Sequence, residues 1–110
     1  EKLVQMQDKG EIKGCIVEGP YALDNAVSKE AAELKGIKGK VAGDADILLM
    51  PNIEAGNVLY KALTYLANAD NAGIILGAKA PIVLTSRADS EKAKLNSIAL
   101  AVLLSSYKGE

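Results

Sequence analysis

The residues best suited to chemistry stand together at Thr85-Ser86-Arg87, with Asp89 and Ser90 just beyond them. Arg87 is the single arginine; the other basic side chains are all lysines. The apolar run Ile82–Leu84 reads as a buried strand, and a helix is predicted to start near Asp89 or Ser90. A guanidinium at a strand end, just before a helix N-terminus, suits an anion. Its forked donors match phosphate, and the free N–H groups and dipole of the helix add to them. Ser86 brings a hydroxyl beside that charge. In open α/β sheets, ligands bind beyond the carboxyl ends of strands, where this turn would lie. The alternative is structural: Asp89 and Ser90 cap the helix, and Arg87 pairs with a surface carboxylate.

A second polar loop, Pro51-Asn52-Ile53-Glu54-Ala55-Gly56-Asn57, follows the apolar run Ile47–Met50. Asn52 and Asn57 can read an amide, a phosphate or a carbonyl. Gly56 in the first turn of a helix costs about 1 kcal/mol against Ala, a cost that a close backbone approach to a ligand would explain. Otherwise Asn52 is an N-cap and Gly56 a helix-packing contact. Lys61 lies on the face of Asn57, as a site cation or a solvated lysine. Asp24 is a cap or a site carboxylate. Cys15, between apolar neighbours, reads as a buried small hydrophobe rather than a nucleophile. There is no histidine. Any proton transfer near neutral pH therefore uses a carboxylate, a lysine, the cysteine or the substrate's own groups, and a Ser-His-Asp or Cys-His mechanism is excluded.

The elements that must position these groups alternate. A helix is expected over Glu1–Lys9, stopped by Gly10, then a short strand at Gly14–Val17 closed by Glu18-Gly19-Pro20. A helical segment follows within Tyr21–Leu34, from Asp24 or Ser28 onward. Ile47–Met50 reads as a strand covered on both faces, as in a parallel sheet. Glu54–Leu66 is a helix with the stripe Val58, Leu59, Ala62, Leu63 and Leu66. Gly73–Leu76 and Ile82–Leu84 are two more strands. The link between them is too short for a parallel crossover of about a dozen residues, so they are antiparallel neighbours or lie apart. The last helix spans Ser90 to Tyr107. Its stretch Ile98–Leu104 is apolar on every side and should be buried all round. The order α-β-α-β-α-β-β-α gives an α/β fold with a mostly parallel, short-stranded sheet and flanking helices.

With 110 residues the chain is one domain or part of one. A net charge of −1, spread evenly, argues against nucleic acid as a partner. One cysteine excludes an internal disulfide and, with no histidine, makes zinc, haem and iron–sulfur sites unexpected; no metal is predicted. No stretch reaches the roughly 18 apolar residues of a membrane span, so a soluble, cytoplasmic protein is expected. The uncapped opening helix and the wholly apolar last helix both suggest a piece of a longer chain.

Long stretches of the sequence resemble the C-terminal third of the phosphate acetyl/butyryltransferase family. They are Glu18-Gly-Pro-Tyr-Ala-Leu-Asp-Asn-Ala-Val-Ser-Lys-Glu-Ala-Ala, Val41-Ala-Gly-Asp-Ala-Asp-Ile-Leu-Leu-Met-Pro-Asn-Ile-Glu-Ala-Gly-Asn-Val-Leu-Tyr-Lys-Ala-Leu, Gly77-Ala-Lys-Ala-Pro-Ile-Val-Leu-Thr-Ser-Arg-Ala-Asp-Ser and Lys94-Leu-Asn-Ser-Ile-Ala-Leu-Ala. The resemblance implies an isocitrate-dehydrogenase-like layered fold of two domains, of which this chain is a partial domain. Residues 1–85 would form a sheet-containing segment, and 86–110 a loop and C-terminal helix packing on an N-terminal domain outside this chain. It also implies an acyltransferase that moves a short acyl group, butyryl foremost, between coenzyme A and inorganic phosphate. No cofactor is bound; acyl-CoA and phosphate are substrates, and relatives tend to be dimers. The family's serine–arginine pair falls on Ser86 and Arg87, with the serine at the thiol or reacting carbonyl and the arginine on phosphate. Asn52, Gly56, Asn57 and Thr85 are the further expected substrate-binding residues. Acetyl-transferring relatives carry an aspartate seven residues after the serine; here that position is Ala93. Asp89 is the acid taken as thiol base, with Glu91 also near and a helix cap as the alternative role for Asp89. The family's other phosphate-binding arginines belong to the N-terminal part.

A second function class is a non-catalytic module holding phosphate or coenzyme A. A hydroxyacid dehydrogenase of similar fold is the third, without a Gly-x-Gly-x-x-Gly to support it.

Overall fold

The computed structural model describes residues 1–107. Contacts divide the chain into two compact units, Glu1–Met50 and Pro51–Glu110. The last three residues of the predicted C-terminal segment 86–110 lie outside the described residues.

In the first unit, α1 spans Lys2–Asp8, α2 Leu23–Val27 and α3 Lys29–Leu34. Gly10 ends α1 at φ +74. Its N–H donates to Gln7 O at 2.8 Å and the Glu11 N–H to Met6 O at 2.9 Å, the paired bonds of a Schellman stop. Gly36 ends α3 in the same way, with Gly36 N–H to Glu33 O at 3.0 Å and Ile37 N–H to Ala32 O at 2.9 Å. The helical segment expected within Tyr21–Leu34, from Asp24 or Ser28 onward, is two helices that meet at Ser28. That residue adopts extended backbone, and its hydroxyl accepts from Ala31 N–H at 3.2 Å, so the serine restarts the helix as an N-cap. Ala26 and Ala32 are the buried apolar side chains of this unit. Glu18 pins the loop beyond α3. Its carboxylate accepts from the N–H groups of Lys40 and Val41, both at 2.9 Å, and from the Tyr21 hydroxyl at 3.0 Å.

In the second unit, α4 spans Ile53–Tyr65 and α5 spans Glu91–Ser106. Both start as their sequences predict. Asn52 Oδ1 accepts from Ala55 N–H at 2.8 Å, and Ser90 Oγ from Ala93 N–H at 3.1 Å. Asn68 takes the left-handed turn after α4, at φ 50. The loop that follows is bonded to both helices. The Tyr60 hydroxyl stands 3.2 Å from Asn71 Oδ1, and Asn71 Nδ2 donates to Thr64 Oγ1 at 3.2 Å. The buried Ser97 hydroxyl accepts from Gly73 N–H at 2.9 Å and donates to Ala93 O at 2.7 Å.

The strand expectations fare differently from the helices. Among the described residues the one β-pairing is an antiparallel bridge between Ile75 and Ile82, closed by Ile75 N–H to Ile82 O at 2.9 Å. It selects the antiparallel reading of these two segments. Gly14–Val17 and Ile47–Met50 carry no ladder among the described residues, because no neighbouring strand here offers them a hydrogen-bonding edge. Two burial expectations are corrected. Cys15 is exposed, and Ile98, Val102 and Leu103 on α5 are 53%, 59% and 69% exposed. Apolar side chains bury only where another element covers them, and among the described residues nothing covers these.

Candidate active site

Ser86, Arg87 and Asp89 fold into one tight turn. Asp89 N–H donates to Ser86 O at 3.1 Å and closes it. Arg87 and Ala88 are its central residues, immediately before Ser90, the N-cap of α5. A second bond runs the other way: Ser86 N–H donates to Asp89 Oδ2 at 2.7 Å. Ser86 Oγ accepts from Ala88 N–H at 3.3 Å. The Arg87 side chain is exposed and makes no ion pair or side-chain hydrogen bond among the described residues. The surface-carboxylate alternative for Arg87 therefore has no partner here. The cap expected of Asp89 or Ser90 falls to Ser90, which leaves the Asp89 carboxylate for the turn.

The other oxygen of Asp89 leads out of the turn. The Tyr60 hydroxyl, on α4, donates to Asp89 Oδ1 at 2.9 Å. With both oxygens occupied, Asp89 is held below the ordinary aspartate pKa, first by the Ser86 N–H, then by Tyr60 and the charges of Lys61 and Lys94, against an opposing desolvation. It is an ionised acceptor, whereas a thiol base works best with a pKa near the operating pH. Tyr60 is pushed above the usual phenol pKa, by desolvation first and then by Asp89, so its proton stays on oxygen and points at the carboxylate.

Gly56 and Asn57 sit on the α4 face that carries Tyr60. With Ile53 the three line an open depression of about 310 Å³. A second depression, about 240 Å³, is lined in part by Asp89, Ser90, Asn71 and Ala93. Tyr60 thus joins the Asn57 face to the Ser86–Asp89 turn, which sequence spacing left separate. Asn52 takes its structural reading as the α4 cap. Thr85 is half-buried next to the turn. Lys61 lies over the rings of Tyr60 and Tyr65, at 4.8 and 5.6 Å from their centroids. Asp24 is spent in the other unit on Lys35, at 2.6 Å. Sequence reasoning missed Tyr60 and Asn71. The available signal was position: Tyr60 falls one turn after Gly56 and Asn57 on the same helix face.

The model of the Phosphate acetyl/butaryl transferase family matches residues 1–102. The chain belongs to this family. It is 61% identical to a phosphate butyryltransferase of Clostridium beijerinckii, over 93% of this chain and 34% of the relative. It is 62% identical to a phosphate acetyltransferase of Thermotoga maritima, over 92% of this chain and 34% of the relative. A solved branched-chain phosphotransacylase from Enterococcus faecalis V583 superposes with a TM-score of 0.70 at 47% identity, covering 79% of this chain and 33% of that one. The chain therefore spans about a third of the length of the curated family members it matches.

Proposed function

We propose that this segment supplies one wall of the active-site cleft of a phosphate acyltransferase, which exchanges a short acyl group, butyryl foremost, between coenzyme A and inorganic phosphate. The observation that carries the reading is the Ser86–Asp89 turn, which presents an unpaired guanidinium in front of the first turn of α5. Arg87 holds the attacking phosphate through paired N–H donors and offsets its charge. A phosphate oxygen adds to the thioester carbonyl, the carbon–sulfur bond breaks, and the phosphate proton ends on the departing sulfur. Positioning supplies most of the rate enhancement in such a transfer, and the residues here need only orient two substrates. The Ser86 hydroxyl faces the sulfur or the carbonyl oxygen. Asn57, Gly56 and the depression beside Tyr60 contact the acyl-CoA.

Ile47–Met50 and Ile82–Leu84 each serve as a strand of a mostly parallel, short-stranded sheet in an isocitrate-dehydrogenase-like layered fold. The apolar faces of α5 pack on the remaining part of the same polypeptide, in a cytoplasmic dimer. The long identity to both a butyryl- and an acetyl-transferring relative supports the reaction class. The test is release of coenzyme A from butyryl-CoA and phosphate by the full-length polypeptide carrying this segment. Arg87→Ala is expected to lower kcat/KM for phosphate by about three orders of magnitude, the scale of a lost charged transition-state contact. Wild-type rates in that variant, or a folded full-length polypeptide that releases no coenzyme A, overturn the reading.

A further inference from the structure

We infer that Tyr60 is a positioning residue for this reaction: its hydroxyl, bonded to Asp89, fixes the turn that carries Ser86 and Arg87. The inference rests on the acyltransferase reading of that turn. The chain of contacts is short and continuous. Tyr60 OH donates to Asp89 Oδ1 at 2.9 Å, and Ser86 N–H donates to Asp89 Oδ2 at 2.7 Å. Asn71 Oδ1 stands 3.2 Å from the same hydroxyl, and its Nδ2 is committed to Thr64 at 3.2 Å. The phenol therefore sits between two acceptors and is anchored on a thirteen-residue helix. Asp89 in turn is half-buried and bonded on both oxygens, so it behaves as a bracket between α4 and the turn.

Tyr60 also lines the depression that holds Gly56 and Asn57. A substrate that moves the ring moves the hydroxyl, and through Asp89 the Ser86 N–H. The α4 face and the phosphate-holding turn are therefore one mechanical unit, although 29 residues separate Tyr60 from Asp89. A site held within about half an ångström of its working geometry depends on such supporting bonds, and a looser turn loses rate before it loses fold.

The test uses the full-length polypeptide with Tyr60→Phe, Asp89→Ala and the double variant, each read in two ways. Tyr60→Phe keeps the ring and removes only the hydroxyl. Its kcat/KM for phosphate should fall about tenfold with an unchanged melting temperature, and the Ser86 amide should exchange its hydrogen about tenfold faster, as expected when one bond to a charged acceptor is lost. In the Asp89→Ala background the same substitution should add no further loss, because its route to the turn is gone. Unchanged exchange at Ser86 in Tyr60→Phe, or an equal further loss of activity in the Asp89→Ala background, overturns the inference. A wild-type polypeptide without turnover overturns the acyltransferase reading and with it the catalytic meaning of the bracket. The exchange at Ser86 still separates that failure from failure of the Tyr60–Asp89 link.

Discussion

Gly43→Ala should open the first unit locally, and the size of the effect follows from two separate causes. Gly43 has φ +77, where an alanine costs about 1–2 kcal/mol. A methyl group there would also lie 2.5 Å from Lys29 Cα and 2.6 Å from Lys29 N. Those are backbone atoms in the first turn of α3 and cannot swing aside, so the segment itself must retreat, at about 1–3 kcal/mol for an overpacked contact. The retreat strains two bonds that hold residues 43–45 on α2: Gly43 N–H to Asn25 O at 2.7 Å and Ala45 N–H to Ala26 O at 3.0 Å. A total of about 3 kcal/mol means local opening about 100-fold more frequent. The assay is hydrogen exchange of the 41–46 peptide in the full-length polypeptide. Gly36→Ala is the matched control: it has φ +65 and nothing within 4 Å of the new methyl, so strain alone should raise exchange about tenfold. Equal exchange in the two variants would refute the claim that close approach of Lys29, rather than backbone strain, fixes this glycine.

Glu18→Gln should weaken the 39–41 loop by about 2 kcal/mol, since an ionised acceptor of two backbone N–H groups and a phenol becomes neutral; exchange of the Lys40 and Val41 amides reports it. The Val41 and then the Lys40 N–H lower the Glu18 pKa, so its contribution is complete above the unfolded value of about 4.3 and is lost as pH falls through the lower folded value; protection should drop below about pH 4 in the wild type and stay flat in the variant. Asn52→Ala and Ser90→Ala should each cost their helix about 1 kcal/mol, seen as about fivefold faster exchange in the first turns of α4 and α5. Asn52→Asp and Ser90→Asp should restore protection.

The helices were legible because their signals are local. Asn52 and Ser90 cap within three residues of themselves, and Gly10 and Gly36 stop helices through bonds that span five. Of the two starts offered by Asp24 and Ser28, both are used: the Ser28 hydroxyl competes for the backbone and divides the segment into α2 and α3. The short apolar runs were not legible in the same sense. Ile47–Met50 has the composition of a covered strand, but a strand is defined by its neighbour, and none is paired with it among the described residues. At the site, Ser86 and Arg87 were readable from residue type and placement before a helix. Tyr60 and Asn71 were not, because a tyrosine's partner 29 residues away leaves no periodic trace.

Each unit solves one problem by the same device. In the first, a tyrosine and a loop share the carboxylate of Glu18; in the second, a tyrosine and a turn share that of Asp89. The need for it follows from the apolar ledger. Among the described residues Ala26, Ala32 and Ala93 are the fully buried apolar side chains, while Ile47, Ile53 and Leu66 are more than 80% exposed. Three methyl groups bury too little surface to hold loops in place, so directional bonds to ionised acceptors must do so. Such bonds fix geometry well and supply modest net stability, which is the order of priority for a turn that presents Arg87. The aliphatic side chains left in solvent take no part in these brackets. Tyr60 and Asp89 shape the turn through bonds that do not depend on whether those side chains are covered.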